Sequence, residues 1–308
     1  MEQTGDRVLT GVALMLGFCL TAPMIDVFAK LATQSVSVGQ VTLARFALQA
    51  AFMLPLVRLM GLPVRYPRAV AGLVLARAGV AVLFTSSFVA AVSVMPIANA
   101  LSIVFIAPFI LMLIGKLVLG EAVGVHRVAA ALAGFAGALF VIRPGLATLG
   151  PLALLPLMTA LFFALYLMVT RRLSPLIHPV AMQAHTALAA LAMVVPMLAV
   201  GAAIERGPLA WVTPSGKVWL FLLGVGVAAT VAHLAITFAL RFAPSATLAP
   251  LQYLEIVTAV VAGFIVFGDF PAPLTWAGIA VIVASGLYVI HRERVTARRA
   301  APPGAPAR

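Results

Sequence analysis

The sequence predicts an all-α integral membrane protein of ten transmembrane helices, arranged as two inverted five-helix repeats. Three observations lead there. Of 308 residues, 64% are hydrophobic and 9% are charged, which leaves too little polar surface to clothe a water-soluble globule. The apolar residues fall into continuous runs long enough to cross a hydrocarbon core about 30 Å thick, which takes roughly 20 helical residues. Finally, residues 96–143 lie without gaps over residues 244–291 at a constant offset of 148, with Pro96 on Pro244, Gly115 on Gly263 and Gly120-Glu121 on Gly268-Asp269. Such self-similarity across two apolar segments and their turn marks an internal duplication.

In chain order the runs are 9–30, 38–58, 70–92, 97–118, 126–143, 149–170, 179–201, 217–240, 246–267 and 273–291. They are continuously apolar. A membrane β-barrel would instead alternate apolar and polar residues over about ten positions. Turn-forming residues separate them: Gly61-Leu62-Pro63, Arg143-Pro144-Gly145, Ser174-Pro175, Gly207-Pro208, Thr213-Pro214-Ser215-Gly216, Ala243-Pro244 and Pro271-Ala272-Pro273. The first run reads as a span and not a signal peptide, because Asp26 and Lys30 close it with no small-x-small cleavage site. Cys19, the single cysteine, lies inside that run and excludes an intramolecular disulfide.

The net charge of +12 does not point to nucleic acid, because its distribution follows the membrane. With the amino terminus in the cytoplasm, fourteen of the twenty basic residues fall in inner loops and tails, four in outer loops, and Arg45 and Arg77 inside spans. Both termini are then cytoplasmic. The organisation follows: residues 1–8 as a cytoplasmic lead, 9–143 as the first repeat, 149–291 as the second, and 292–308 as a basic tail without a fold of its own. Seventeen Arg against three Lys point to a high-GC bacterium and hence to its inner membrane. The offset of 148 carries the fourth span onto the ninth and the fifth onto the tenth. Five spans separate equivalents, so the halves run in opposite senses.

The pattern Leu119-Gly120-Glu121, Gly134-Phe135-Ala136-Gly137 and Arg143-Pro144-Gly145, with Ala249-Pro250-Leu251-Gln252-Tyr253-Leu254-Glu255 and Phe267-Gly268-Asp269, resembles the drug/metabolite transporter superfamily and, within it, the ten-helix EamA-type carriers. The resemblance spans residues 9–291. It implies a central cavity, alternating access and a small organic cargo such as amino acids, nucleosides, riboflavin or adenosylmethionine.

Ionisable groups inside spans are costly in lipid and face cavities or partners. Glu255 stands near the bilayer centre on a stripe with Leu248, Gln252, Ala259 and Ala262, a face expected to line the pathway. Its repeat equivalent is Ala107 and that of Gln252 is Val104, so the halves have diverged here. Glu255 either binds cargo or a coupling proton, or locks two helices through a basic partner. Arg77 either forks onto a substrate carboxylate or snorkels. His233 and His185 are either titrating groups or satisfied hydrogen bonders. Asp26 and Arg45 flank the first loop at equal distances, which predicts an ion pair that Lys30 joins, structural or gating in role. Tyr166 suits an aromatic ligand or an interface, and Asn99 is an isolated polar group. Pro250 and Pro108 are candidate hinges among the span prolines.

No nucleotide-binding loop, His-Glu-x-x-His box or Gly-x-Ser-x-Gly elbow occurs, so the expectation is a non-enzymatic secondary carrier with no catalytic residue, metal or cofactor. Its expected partners are a small molecule, the lipid bilayer and a coupling proton, and a monomer suffices. The favoured cargo is an amino acid, aromatic ones included, with export as the direction. The alternative is an importer of a vitamin or nucleotide-like metabolite such as riboflavin or adenosylmethionine; a lipid enzyme or channel ranks below both.

Overall fold

The computed structural model describes residues 2–119, 125–204, 207–242, 248 and 251–300. Eleven α-helices occur among them: α1 (Glu2–Ala32), α2 (Val38–Leu59), α3 (Arg68–Val94), α4 (Ile97–Val104), α5 (Ala107–Leu119), α6 (Val125–Leu149), α7 (Leu155–Leu173), α8 (Pro179–Ile204), α9 (Lys217–Phe242), α10 (Leu254–Phe267) and α11 (Pro273–Ala300). A 3₁₀ turn, Gly150–Leu154, joins α6 to α7. Seven stretches are long and apolar enough to cross a bilayer, with α4 and α5 together forming one. Three shorter apolar helices, Val128–Val141, Leu254–Phe267 and Pro273–Tyr288, stand at the fifth, ninth and tenth expected spans. Helix is what hydrocarbon demands, since it satisfies backbone polar groups within the segment.

Packing follows the duplication. The span-for-span equivalents are α1 with α7, α2 with α8, α3 with α9, α4–α5 with α10, and α6 with α11. Where α1 packs on α9, α7 packs on α3; where α2 packs on α9, α8 packs on α3; where α1 packs on α10, α7 packs on α4 and α5. The pairs α2–α8, α4–α10 and α6–α11 map onto themselves. This exchange symmetry is that of an inverted repeat about an axis in the membrane plane. At the α6–α11 crossing the backbones nearly touch: a Cβ on Gly278 would stand 2.6 Å from the Gly137 carbonyl oxygen. Small residues admit that approach.

Both members of one equivalent pair are broken at the same place. α4 ends at Phe105, which caps it, and α5 restarts at Ala107. In the ninth span Tyr253 forms a turn and α10 begins at Leu254. Phe105 and Tyr253 are repeat equivalents at the offset of 148, and their rings pack at a tilt with centroids 5.2 Å apart. The backbone at Pro108 is in the first turn of α5, a position where proline costs no helical hydrogen bond. Its side chain, like Pro250 and the Gly120-Glu121 turn, lies outside the described residues.

Four expectations need correction. The fifth helix does not stop at Arg143-Pro144-Gly145 but continues to Leu149, and the chain turns at Gly150, whose φ of 57° suits a residue without a Cβ. The tail is not unstructured through 292–300: α11 continues to Ala300, because Arg, Glu and Ala propagate a helix already nucleated in the span. The ninth span is no unbroken helix over 246–267. Consequently the stripe through Leu248, Ala259 and Ala262 does not line an opening: Leu248 packs with Met15 and Ala239, and Ala259 and Ala262 pack with Val27 and Ala91. Only Gln252 and Glu255 of that stripe stay half-buried.

Candidate functional site

Five helices send polar side chains to one interior belt. Arg45 on α2 donates from Nη1 to Thr85 Oγ1 of α3 (2.6 Å) and from Nη2 to His233 Nε2 of α9 (2.8 Å). A guanidinium only donates, so His233 accepts through Nε2 and carries its proton on Nδ1. One turn along α2, Gln49 Nε2 donates to Gln183 Oε1 of α8 at 3.0 Å. Arg77 on α3 is 2% exposed; it donates to Thr170 Oγ1 of α7 (2.8 Å), to Thr186 Oγ1 of α8 and to the Tyr166 hydroxyl. Burial with three hydroxyl acceptors excludes snorkelling for Arg77.

Between the guanidiniums lies an aromatic patch. Phe84 of α3 packs against Phe163 and Tyr166 of α7 at 5.4 and 5.5 Å, and Phe163 stacks on Tyr166 at 6.2 Å. Arg45 sits over Phe84 at 5.1 Å and Arg77 over Tyr166 at 4.4 Å. Each cation faces the negative quadrupole of a ring. The rings are thus capped at both ends by positive charge.

The expected Asp26–Arg45 ion pair does not form. The expectation assumed that α1 and α2 pack as a hairpin, whereas α9 lies against both and offers His233 to Arg45. Lys30 likewise does not join Asp26. Its Nζ donates to Asp269 Oδ2 at 2.7 Å and to the Met95 carbonyl at 3.1 Å, with the Phe267 ring 4.6 Å away. This is the one ion pair among the described residues. It ties the end of α1 to the ends of α3 and α10.

Asp26 and Glu255 are left without hydrogen-bond partners among the described residues, although Glu255 is close enough to Asp26, and Asp26 to Arg45, to interact electrostatically. Glu255 occupies the first turn of α10, where the helix dipole favours negative charge. Among the described residues no basic side chain pairs with it. The neighbouring α1–α10 contact is secured by Cys19 Sγ donating to the Leu251 carbonyl and Thr258 Oγ1 donating to the Cys19 carbonyl. Asn99 presents a buried Oδ1 with no partner. His185 is an anchor: its ring nitrogens meet the Ala181 and Val64 carbonyls at 2.6 and 3.0 Å. Among the described residues no group of His, Cys, Asp and Glu is placed to hold a metal ion.

Sequence inspection missed Thr85, Thr170, Thr186, Gln49, Gln183, Phe84, Phe163 and Asp269. A usable signal existed for Gln49 and Gln183, uncharged polar side chains in otherwise apolar runs.

A family model described as the EamA-like transporter family matches residues 9–143 and again 150–291. The chain belongs to that family. This EamA-like transporter, a member of the drug/metabolite transporter superfamily, is therefore a multi-pass membrane carrier and not an enzyme. It is 28% identical over 302 residues to a protein of Rhizobium johnstonii named riboflavin transporter, covering 96% of each chain. A riboflavin transporter of Vibrio cholerae is 28% identical, with 94% of this chain and 96% of the relative covered. A Rickettsia prowazekii protein named S-adenosylmethionine uptake transporter is 22% identical, covering 96% of this chain and 97% of the relative. A solved crystal structure shares the fold at a TM-score of 0.62 and 20% identity, covering 94% of this chain and 99% of the other.

Proposed function

We propose that this EamA-like transporter is a secondary carrier that imports a vitamin or nucleotide-like metabolite bearing a flat heteroaromatic ring, with riboflavin as the first candidate, across a bacterial inner membrane by alternating access. The observation that carries the reading is the interior patch of Phe84, Phe163 and Tyr166 flanked by Arg45 and Arg77. Stacked rings offer a planar ligand area and dispersion, and fixed guanidiniums offer donors to its carbonyl or anionic groups. The relatives named for riboflavin and adenosylmethionine support a ring-bearing cargo, and those named for uptake support import.

The excess of basic residues on one side of the span pattern supports a cytoplasmic position for both termini. In that orientation the Lys30–Asp269 pair stands at the outer end, and its contacts support an outward-closed reading. A coupling proton would reside on Glu255 or Asp26, carboxylates that no cation among the described residues neutralises by contact. A second reading, export of amino acids, draws on the same two carboxylates, which suit an α-ammonium group, but it leaves the aromatic patch unused.

The test is growth of a riboflavin-requiring bacterium that lacks its own uptake system. Expression of this chain lowers the riboflavin concentration needed for growth by tenfold or more, and uptake of labelled riboflavin saturates. Unchanged growth with abundant protein in the membrane would reject riboflavin import.

A further inference from the structure

We propose that the end of α11 carries a basic stripe that docks on the anionic phospholipid headgroups bordering the protein, as a direct continuation of the face that α11 turns to lipid. The inference needs the membrane family and the helix register but no particular cargo, so its failure leaves the proposed function standing.

The exposed positions of α11 recur at alternating steps of three and four residues, through Ala277, Ala280, Ala284, Leu287 and His291. Such spacing draws one stripe along a helix. The other side is closed: Ile279, Ile282 and Ser285 are buried, and Gly278 meets the Gly137 backbone of α6. Within the span, the stripe turned away from α6 therefore faces hydrocarbon.

The helix does not end with the span. It runs on to Ala300, and the next two steps of the same spacing fall on Arg294 and Arg298, with Arg299 adjoining. Glu293, the one carboxylate in the α11 sequence, follows the buried Gly286 by seven residues and so continues the packed side. Charge is thus sorted by face. The apolar stripe becomes a basic stripe in register, without a bend or a linker between them.

The level at which the hydrocarbon ends is marked independently. Tyr288 and His126, at the start of α6, are both exposed, and the hydroxyl lies 2.9 Å from His126 Nδ1. An exposed tyrosine with a polar partner suits the headgroup level. At about 1.5 Å per residue, Arg294 stands about 9 Å and Arg298 about 15 Å along the axis beyond Tyr288, against a headgroup layer about 5–8 Å deep. Helical Cα–Cβ bonds tilt toward the amino-terminal end, which for α11 is the bilayer, and long basic side chains reach headgroups in this way. The first surface in front of the stripe is the lipid that already borders the span. Attraction between juxtamembrane arginines and anionic lipid acts within a Debye length of that surface. In the orientation supported above, the leaflet concerned is the cytoplasmic one.

The experiment places a fluorophore on the stripe, through Val295→Cys in a Cys19→Ser background, in the full-length protein reconstituted into phosphatidylcholine vesicles with and without phosphatidylglycerol. Quenching by a phospholipid carrying a nitroxide on its headgroup reports docking. Phosphatidylglycerol should increase quenching, and added salt should reverse the increase. Arg294→Gln with Arg298→Gln should abolish the increase. Adding Thr296→Arg and Ala300→Arg to that double variant restores the net charge on the other face of the helix and should not recover it. All these positions lie beyond the span, so the melting temperature should be unchanged. Equal quenching with and without phosphatidylglycerol, an undiminished increase in the double glutamine variant, or full recovery when the charge is moved to the other face would each overturn the proposal. A label that ignores phosphatidylglycerol but responds to added poly-glutamate would assign the stripe to an acidic protein and likewise overturn docking on lipid.

Discussion

Replacing Lys30 by Met removes the one contact that ties α1 to the ends of α3 and α10 through charge. The ammonium donates to Asp269 at 2.7 Å, donates to the Met95 carbonyl at 3.1 Å and lies 4.6 Å from the centre of the Phe267 ring. The two side chains are 15% and 27% exposed, so the pair is shielded without being dry. A hydrogen bond between charged groups contributes about 1.5–3 kcal/mol when buried, and this exposure argues for the lower part of that range. The ring contact adds about 0.5–1 kcal/mol. A change of about 2–3 kcal/mol in the balance between closed and open ends shifts their ratio by roughly 30- to 150-fold. Spin labels at Ser35 and Ala272, both exposed and on either side of the pair, placed in a Cys19→Ser background, report the change as a distance distribution by pulsed electron paramagnetic resonance. Wild type should give one short population. Lys30→Met and Asp269→Asn should each add a longer one, and the charge swap Lys30→Asp with Asp269→Lys should recover part of the short one. Identical distributions in wild type and both single variants would refute the idea that this ion pair holds the end shut.

Further outcomes test the belt and the axis. Gly286→Ala drives a Cβ into the Tyr253 hydroxyl; it should lower thermal stability by about 1–3 kcal/mol through overpacking and slow transport, with partial rescue by Tyr253→Phe, as read by melting curves and flux. Gln49→Leu or Gln183→Leu alone strands the other amide and should cost about 0.6–1.7 kcal/mol, whereas the double substitution should cost less than the sum, as a double-mutant cycle in unfolding measurements checks. Tyr166→Phe removes one of three hydroxyls that hold Arg77 but keeps the ring, so substrate affinity should change only a few-fold; Tyr166→Leu removes the ring and should weaken binding tenfold or more by titration. Arg77→Lys cannot reach Thr170, Thr186 and Tyr166 together from a single ammonium and should abolish saturable transport while the protein remains in the membrane fraction.

The span count and the duplication were legible because both depend on local properties. Hydrocarbon thickness sets how many apolar residues a helix needs, and a fixed offset survives wherever packing keeps the same small or turn residue. Partner choice was not legible in the same way. The Asp26–Arg45 pairing followed from sequence neighbours forming a hairpin, but the fold inserts α9 between α1 and α2 and gives Arg45 a histidine from 188 residues away. Lys30 found its carboxylate 239 residues away for the same reason. Phe105 and Tyr253 were visible as equivalents at the offset of 148, yet two aromatic residues in apolar runs carry no sign that they touch. The stop at Arg143-Pro144-Gly145 misled because a membrane helix can run on through a proline; the chain turns only at Gly150, in the left-handed region. One feature of Glu255 was not in the sequence: the span breaks just before it and leaves it in the first turn of α10, with no hydrogen-bond donor among the described residues.

Counterflow in proteoliposomes tests the central claim most directly. Vesicles containing the purified protein and preloaded with unlabelled riboflavin should transiently concentrate labelled riboflavin from outside, with saturation, and preloading with an amino acid should not substitute. Accumulation driven by an internal amino acid but not by riboflavin would contradict a ring-bearing vitamin as the cargo, and flux that neither saturates nor responds to preloading would contradict a carrier altogether.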